Sequence, residues 1–119
     1  MILKQGIVLI AHGSRDPEWS RPFERLAAVL QKKLPAVAVA LAYLEHGASL
    51  EEGLAALTAK GVGAIRVVPV FLGAGGHVKE DIPRLVAAAK LAVPVSVDAP
   101  IGEQAQLIEA IAEGIAAPR

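Results

Sequence analysis

Ile7-Val8-Leu9-Ile10-Ala11, followed at once by His12-Gly13-Ser14-Arg15-Asp16-Pro17, decides how the rest of the chain is read. Five apolar residues with no polar alternation belong to a strand covered on both faces, as in a parallel sheet between two layers of helix. The polar, glycine-containing loop then leads into a segment whose apolar residues recur at helical spacing. Three more apolar runs, residues 37–43, 65–71 and 93–97, repeat the arrangement, each followed by its own helical pattern. The chain therefore reads as βα repeated four times. With right-handed crossovers this predicts an α/β fold: one domain over residues 1–119, an open four-stranded parallel sheet with helices on both faces, in flavodoxin-like order.

The helical segments carry local start and stop signals. In the first, Phe23, Leu26, Ala27, Leu30 and Leu34 form one stripe; Asp16 reads as a cap with Pro17 as first helical residue, Ser20 offers a second start, and Pro35 ends the segment. The second opens with a capping box, Ser49 and Glu52, turns Leu50, Leu54 and Leu57 inward and stops at Gly61. The third presents Ile82, Leu85, Val86 and Ala89, with Pro83 expected in its first turn, where a missing N–H is tolerated. The fourth starts near Glu103 and is expected to lay Leu107, Ile108, Ile111 and Ile115 on the sheet.

Composition narrows the chemistry. A length of 119 residues with 54% hydrophobic content suits one core, and 3% aromatics means that core is aliphatic and alanine-rich. Twelve basic and twelve acidic residues cancel, so no global field favours nucleic acid or an anionic membrane. There is no cysteine, which excludes disulfides, thiolate metal sites and thiol catalysis. The longest uncharged apolar run, residues 36–44, falls far short of the roughly 20 residues needed to span a bilayer. A cytoplasmic protein is expected.

In an open α/β sheet, ligands bind beyond the carboxyl ends of the strands. The loops expected there hold all three histidines: His12, then His46 beside Glu45, then His77 in Leu72-Gly73-Ala74-Gly75-Gly76-His77-Val78-Lys79. Each histidine alone also reads as a loop residue bonded to neighbouring backbone, His46 more readily than His12 or His77. Together, His12, Glu45 and His77 make a two-histidine, one-carboxylate set. Neutral imidazoles bind first-row divalent metals, and imidazole or carboxylate can accept protons near neutral pH. Gly73, Gly75 and Gly76 let a flat ligand approach the backbone, while Arg15, Lys79 and Arg84 could meet its carboxylates. The glycines lack the G-x-G-x-x-G spacing of a dinucleotide site, and Ser14 lacks the G-x-S-x-G setting of a nucleophile.

His12-Gly13-Ser14-Arg15-Asp16-Pro17, Tyr43-Leu44-Glu45, the run from Gly75 through His77-Val78-Lys79-Glu80-Asp81-Ile82 to Pro83, and Ala99-Pro100-Ile101-Gly102-Glu103 together resemble the small, single-lobe sirohydrochlorin chelatases. The resemblance covers essentially the whole chain. It implies a class II chelatase, a lyase that forms metal–nitrogen bonds without ATP by placing cobalt, iron or nickel in sirohydrochlorin for cobalamin or sirohaem synthesis. No cofactor is implied beyond that substrate metal. The resemblance assigns His12 and His77 to metal binding and proton acceptance, with Glu45 as acidic partner. Arg15, Gly75, Gly76 and Lys79 are then the candidates for tetrapyrrole contact. It also implies a homodimer with the tetrapyrrole in the intersubunit cleft. His46 departs from the pattern and reads as a third ligand, a metal relay or a plain loop residue. Two other readings are a non-catalytic metal- or tetrapyrrole-binding module and a histidine phosphatase; the latter needs an Arg before the first His-Gly, where Ala11 stands.

Overall fold

The computed structural model describes residues 4–73 and 75–118, and the side chain of His77 lies outside the described part. In chain order the elements are β1 (Gln5–Ala11), α1 (Arg21–Lys33), β2 (Ala38–Tyr43), α2 (Leu50–Ala59), β3 (Ala64–Pro69), α3 (Gly76–Ala88), β4 (Val95–Val97), a 3-10 turn (Ile101–Glu103) and α4 (Ala105–Ala116). The four strands are parallel and ordered β2-β1-β3-β4, the flavodoxin-like order expected. Residues 6–11 of β1 are all buried because neighbours flank the strand on both edges and helices cover both faces. Along β1, Val8 and Ile10 face one layer while Ile7 and Leu9 face the other.

The first layer is the tighter one. Leu54 and Leu57 of α2 are fully buried against Val8, Ile10, Ile65 and Val67, with Ile82 of α3 beside them. Each such leucine contributes about 1.5–3 kcal/mol by leaving water. The Ser49 hydroxyl accepts from the Glu52 backbone N–H at 3.1 Å, as the capping box predicts, and Gly61 takes the left-handed φ of 76° that closes the helix.

Four local expectations are corrected. Asp16 does cap, accepting from the Glu18 N–H at 2.9 Å, but it caps a turn over residues 17–20; α1 begins only at Arg21, with Pro22 in its first turn. Pro83 lies in the interior of α3, eight residues from its start, because the helix already begins at Gly76. β3 ends at Pro69, two residues early, since proline offers no N–H to the ladder. Most consequential is α4, whose packing is chiefly on the 3-10 turn: no residue of it is buried, and Ile115 is 80% exposed. A helical stripe announces that a face needs cover, not which surface supplies it.

Candidate functional site

The register of the central pair builds the site. Ala11 pairs with Tyr43 at the carboxyl ends of β1 and β2, and the ladder runs on into the loops: Leu44 N–H donates to Ala11 O at 3.0 Å, and Glu45 N–H to His12 O at 3.1 Å. The two residues of interest thus leave the sheet side by side. Gly13, at a φ of 102°, lets the loops touch, for a Cβ there would lie 1.8 Å from the Glu45 carbonyl oxygen. Only glycine tolerates both the angle and the contact.

His12 Nε2 stands 3.9 Å from Glu45 Oε1, and His46 Nε2 stands 4.0 Å from the same oxygen. His46 is presented by a left-handed backbone, φ 57°, that turns its imidazole toward the carboxylate. These separations exceed hydrogen-bond length. A four-coordinate ion with ligand atoms at about 2.0–2.2 Å holds them no more than about 3.5 Å apart, so a bound ion would draw the pair in by a few tenths of an ångström. His12 and Glu45 are each 55% exposed, open to an incoming ligand. Phe71 meets the His12 ring edge-on, ring centroids 6.4 Å apart. Among the described residues no group of three or more His, Asp or Glu is ready to hold a metal.

The cleft in front of this pair, about 340 Å³, is lined by His12, Leu44 and Glu45 on one side and by Val78, Asp81, Arg84 and Leu85 of α3 on the other. Asp81 was not among the expected site residues. It pairs with Arg84 three residues on, which places a carboxylate and a guanidinium together opposite the histidine. The i,i+3 spacing of Asp81 and Arg84 signals their pairing, but not their place in this cleft.

The other expected residues divide. Gly75 caps α3 in an extended conformation, and Gly76 and His77 are the first two residues of that helix, so the backbone of His77 starts an element that borders the cleft. Arg15 is exposed and has no ion-pair partner among the described residues. Lys79 is engaged elsewhere: its Nζ lies 3.2 Å from Glu103 Oε2, on the rim of a second cleft of about 300 Å³ between α3 and the segment after β4. There the Gly102 N–H donates to Phe71 O at 2.9 Å, and a Cβ on Gly102 would stand 1.7 Å from Leu72 O. The loop after β4 is therefore clamped to the loop after β3.

Beside β2, Tyr43 packs near Trp19, ring centroids 6.4 Å apart, and Trp19 lies on Phe23 at 4.6 Å. Burial raises the Tyr43 phenol above its ordinary pKa; a hydrogen bond with Ser20 pulls it down, and the nearby Glu24 carboxylate pushes it up again.

Histidines and a carboxylate thus stand at the carboxyl edge of a parallel four-stranded α/β domain, where proteins of this fold class bind ligands. The chain belongs to the CbiX family, which it matches over residues 6–117. Among solved structures it is similar to a CbiX protein from Marinobacter aquaeolei VT8 described under cobalamin (vitamin B12) biosynthesis: 32% identity, 93% of each chain covered, TM-score 0.81. It is also similar to the sirohydrochlorin chelatase SirB from Bacillus subtilis subspecies spizizenii in complex with cobalt, at 26% identity, 95% of this chain and TM-score 0.80. SirB from Bacillus subtilis with Fe3+ matches at 27% identity over 98% of this chain, TM-score 0.77. The matched chain spans about half the length of both SirB chains, 50% and 49%. No curated protein matches it. Among the described residues no helix is long and apolar enough to cross a membrane.

Proposed function

We propose that this chain inserts a divalent metal ion, cobalt, iron or nickel, into sirohydrochlorin or a related tetrapyrrole without ATP. The observation that carries the reading is the half-exposed His12–Glu45 pair in an open cleft, at the edge where α/β sheets bind ligands, in a member of the CbiX family. Insertion forms bonds from the metal to four pyrrolic nitrogens and releases two N–H protons. It therefore needs weak, open ligation of the ion and a nearby proton acceptor. A pair of ligands that does not close around the ion suits transfer better than a full cage.

In this reading His12, Glu45 and His77 hold and pass on the substrate metal and take the two protons. His46, within 4.0 Å of Glu45, is the relay that brings the ion to them. Arg15, Gly75 and Gly76 contact the macrocycle, and Lys79 contributes once a substrate carboxylate displaces Glu103 from its ammonium. The exposure of the site calls for a second wall, which a second copy of the chain supplies as a homodimer. A cytoplasmic location belongs to the same reading.

The test follows the absorption spectrum of sirohydrochlorin mixed with the protein and Co²⁺, Fe²⁺ or Ni²⁺ in turn. Insertion faster than the uncatalysed rate for at least one ion is expected. Uncatalysed rates for all three would overturn the reading, and tight binding without spectral conversion would leave a binding module instead.

A further inference from the structure

α3 presents to the His12 cleft a mixed surface that metal binding alone does not call for. The helix buries Ile82 in the core, with Val78 and Val86 packed beside it. Residues 78, 81, 84 and 85 follow one another along the flank that borders the cleft, at the spacings of three and four that share a helix face. Three apolar side chains, Leu44, Val78 and Leu85, thus line the cleft together with the His12–Glu45 pair and the Asp81–Arg84 pair. As a stabilising device the second pair is weak, because Arg84 is 73% exposed and Asp81 38%, and exposed pairs on one helix contribute little.

Its geometry suits a ligand better. Arg84 Nη2 donates to Asp81 Oδ1. That bond uses one of the five N–H donors of a planar fork, so the guanidinium can take a second carboxylate while Asp81 keeps it at the cleft. Charge points the same way. Among the described residues that line this cleft, Arg84 carries the only permanent positive charge, against the carboxylates of Glu45 and Asp81. Two carboxylates with no cation would favour a metal ion and repel an anionic ligand. Lys79, the other cation on this half of α3, is turned to Glu103 in the second cleft, across Val78, which lines both.

We propose that Arg84 is a specificity-determining residue of this site, pairing with a peripheral carboxylate of the tetrapyrrole, and that Asp81 positions it. One edge of the macrocycle lies on Leu44, Val78 and Leu85, with its metal-accepting centre toward His12 and Glu45. A cleft of about 340 Å³, near the lower end for ligand pockets, takes such an edge. The proposal rests on the tetrapyrrole reading above and adds the side chain that recognises the substrate's periphery.

Equilibrium binding of metal-free sirohydrochlorin, followed by its own absorption, tests this apart from metal insertion. Arg84→Ala should raise the dissociation constant about ten- to a hundredfold, the worth of a charge-assisted contact. Arg84→Lys, which keeps the charge and loses the fork, should fall between. Asp81→Asn should also weaken binding, and the double variant should match Arg84→Ala alone, because Asp81 acts through Arg84. Methylating the substrate's carboxylates should remove the difference between wild type and Arg84→Ala. In turnover the Arg84→Ala loss should appear chiefly in KM, and Co²⁺ binding without tetrapyrrole should stay as in wild type. Equal affinity of wild type and Arg84→Ala for sirohydrochlorin would overturn the assignment and leave metal insertion standing, as would a difference that persists with the methylated substrate. An equal fall in Co²⁺ affinity would overturn it too. Additive losses in the double variant would take the positioning role from Asp81. A wild type that binds sirohydrochlorin through Arg84 without converting it would overturn insertion and keep this assignment. No binding by wild type would overturn both.

Discussion

A Cβ placed on Gly13 would lie 1.8 Å from the carbonyl oxygen of Glu45, and it is this contact that sets His12 beside the Glu45 carboxylate. The Glu45 backbone fills the space a side chain on residue 13 would need, and the φ of 102° there is one that other residues rarely adopt. Gly13→Ala should therefore lose about 2–4 kcal/mol of stability, combining backbone strain with overpacking against an immovable carbonyl. Urea unfolding measures it. The loss should exceed that of Gly61→Ala, where φ is 76° but nothing stands within 4 Å of the added carbon.

His12→Ala, His77→Ala and Glu45→Gln should each slow metal insertion by about 10²–10⁴-fold, the usual cost of removing a positioned proton acceptor. All three should unfold within about 0.5 kcal/mol of wild type if these positions act as exposed surface, as the half-exposed His12 and Glu45 side chains suggest. A variant that keeps near-normal rates takes its residue out of the mechanism.

Tyr43 is the one tyrosine of the chain, so its ionisation can be followed directly by ultraviolet absorption. Burial lifts its pKa above 10.0, and the midpoint should lie above that value. The sign for stability follows: the unfolded chain gives up this proton first, so the group's contribution is intact below pH 10 and is lost as pH rises through the elevated midpoint. Ser20→Ala should move the midpoint further up and Glu24→Gln should bring it down, because they remove the lowering hydrogen bond and the raising charge respectively.

In the core, Leu54→Ala should cost about 2–5 kcal/mol, since the side chain is fully buried against Val8 and its neighbours and leaves a cavity. Ser49→Ala should cost only about 1 kcal/mol, the worth of one helix cap. Equal losses in a chemical unfolding series would mean that the two-layer core is not organised around α2.

Strands and caps were readable because their determinants are local. An unbroken apolar run marks β1, and Ser49 and Glu52 mark the start of α2 through bonds that span three residues. Pro83 was misplaced for a related reason: helix starts are weakly encoded where no capping side chain exists, and Gly75 has none. At the candidate site, the nearness of His12 and Glu45 was legible from their residue types and their place after two strands. Asp81 was missed because only the packing of α3 against the loops brings it to the same cleft.

The sequence by itself determined that four βα units make a parallel sheet and that all three histidines lie beyond strand ends, because periodicity and loop chemistry act over a few residues. The tertiary structure alone decided the partners. The pairing of Ala11 with Tyr43 joins His12 to Glu45, the clamp at Gly102 holds the later loops together, and Lys79 is turned to Glu103. It also left the stripe on α4 off its own sheet. Such relations depend on register and on how far apart two helices settle, and these are fixed by the whole core at once, not by any short stretch of chain.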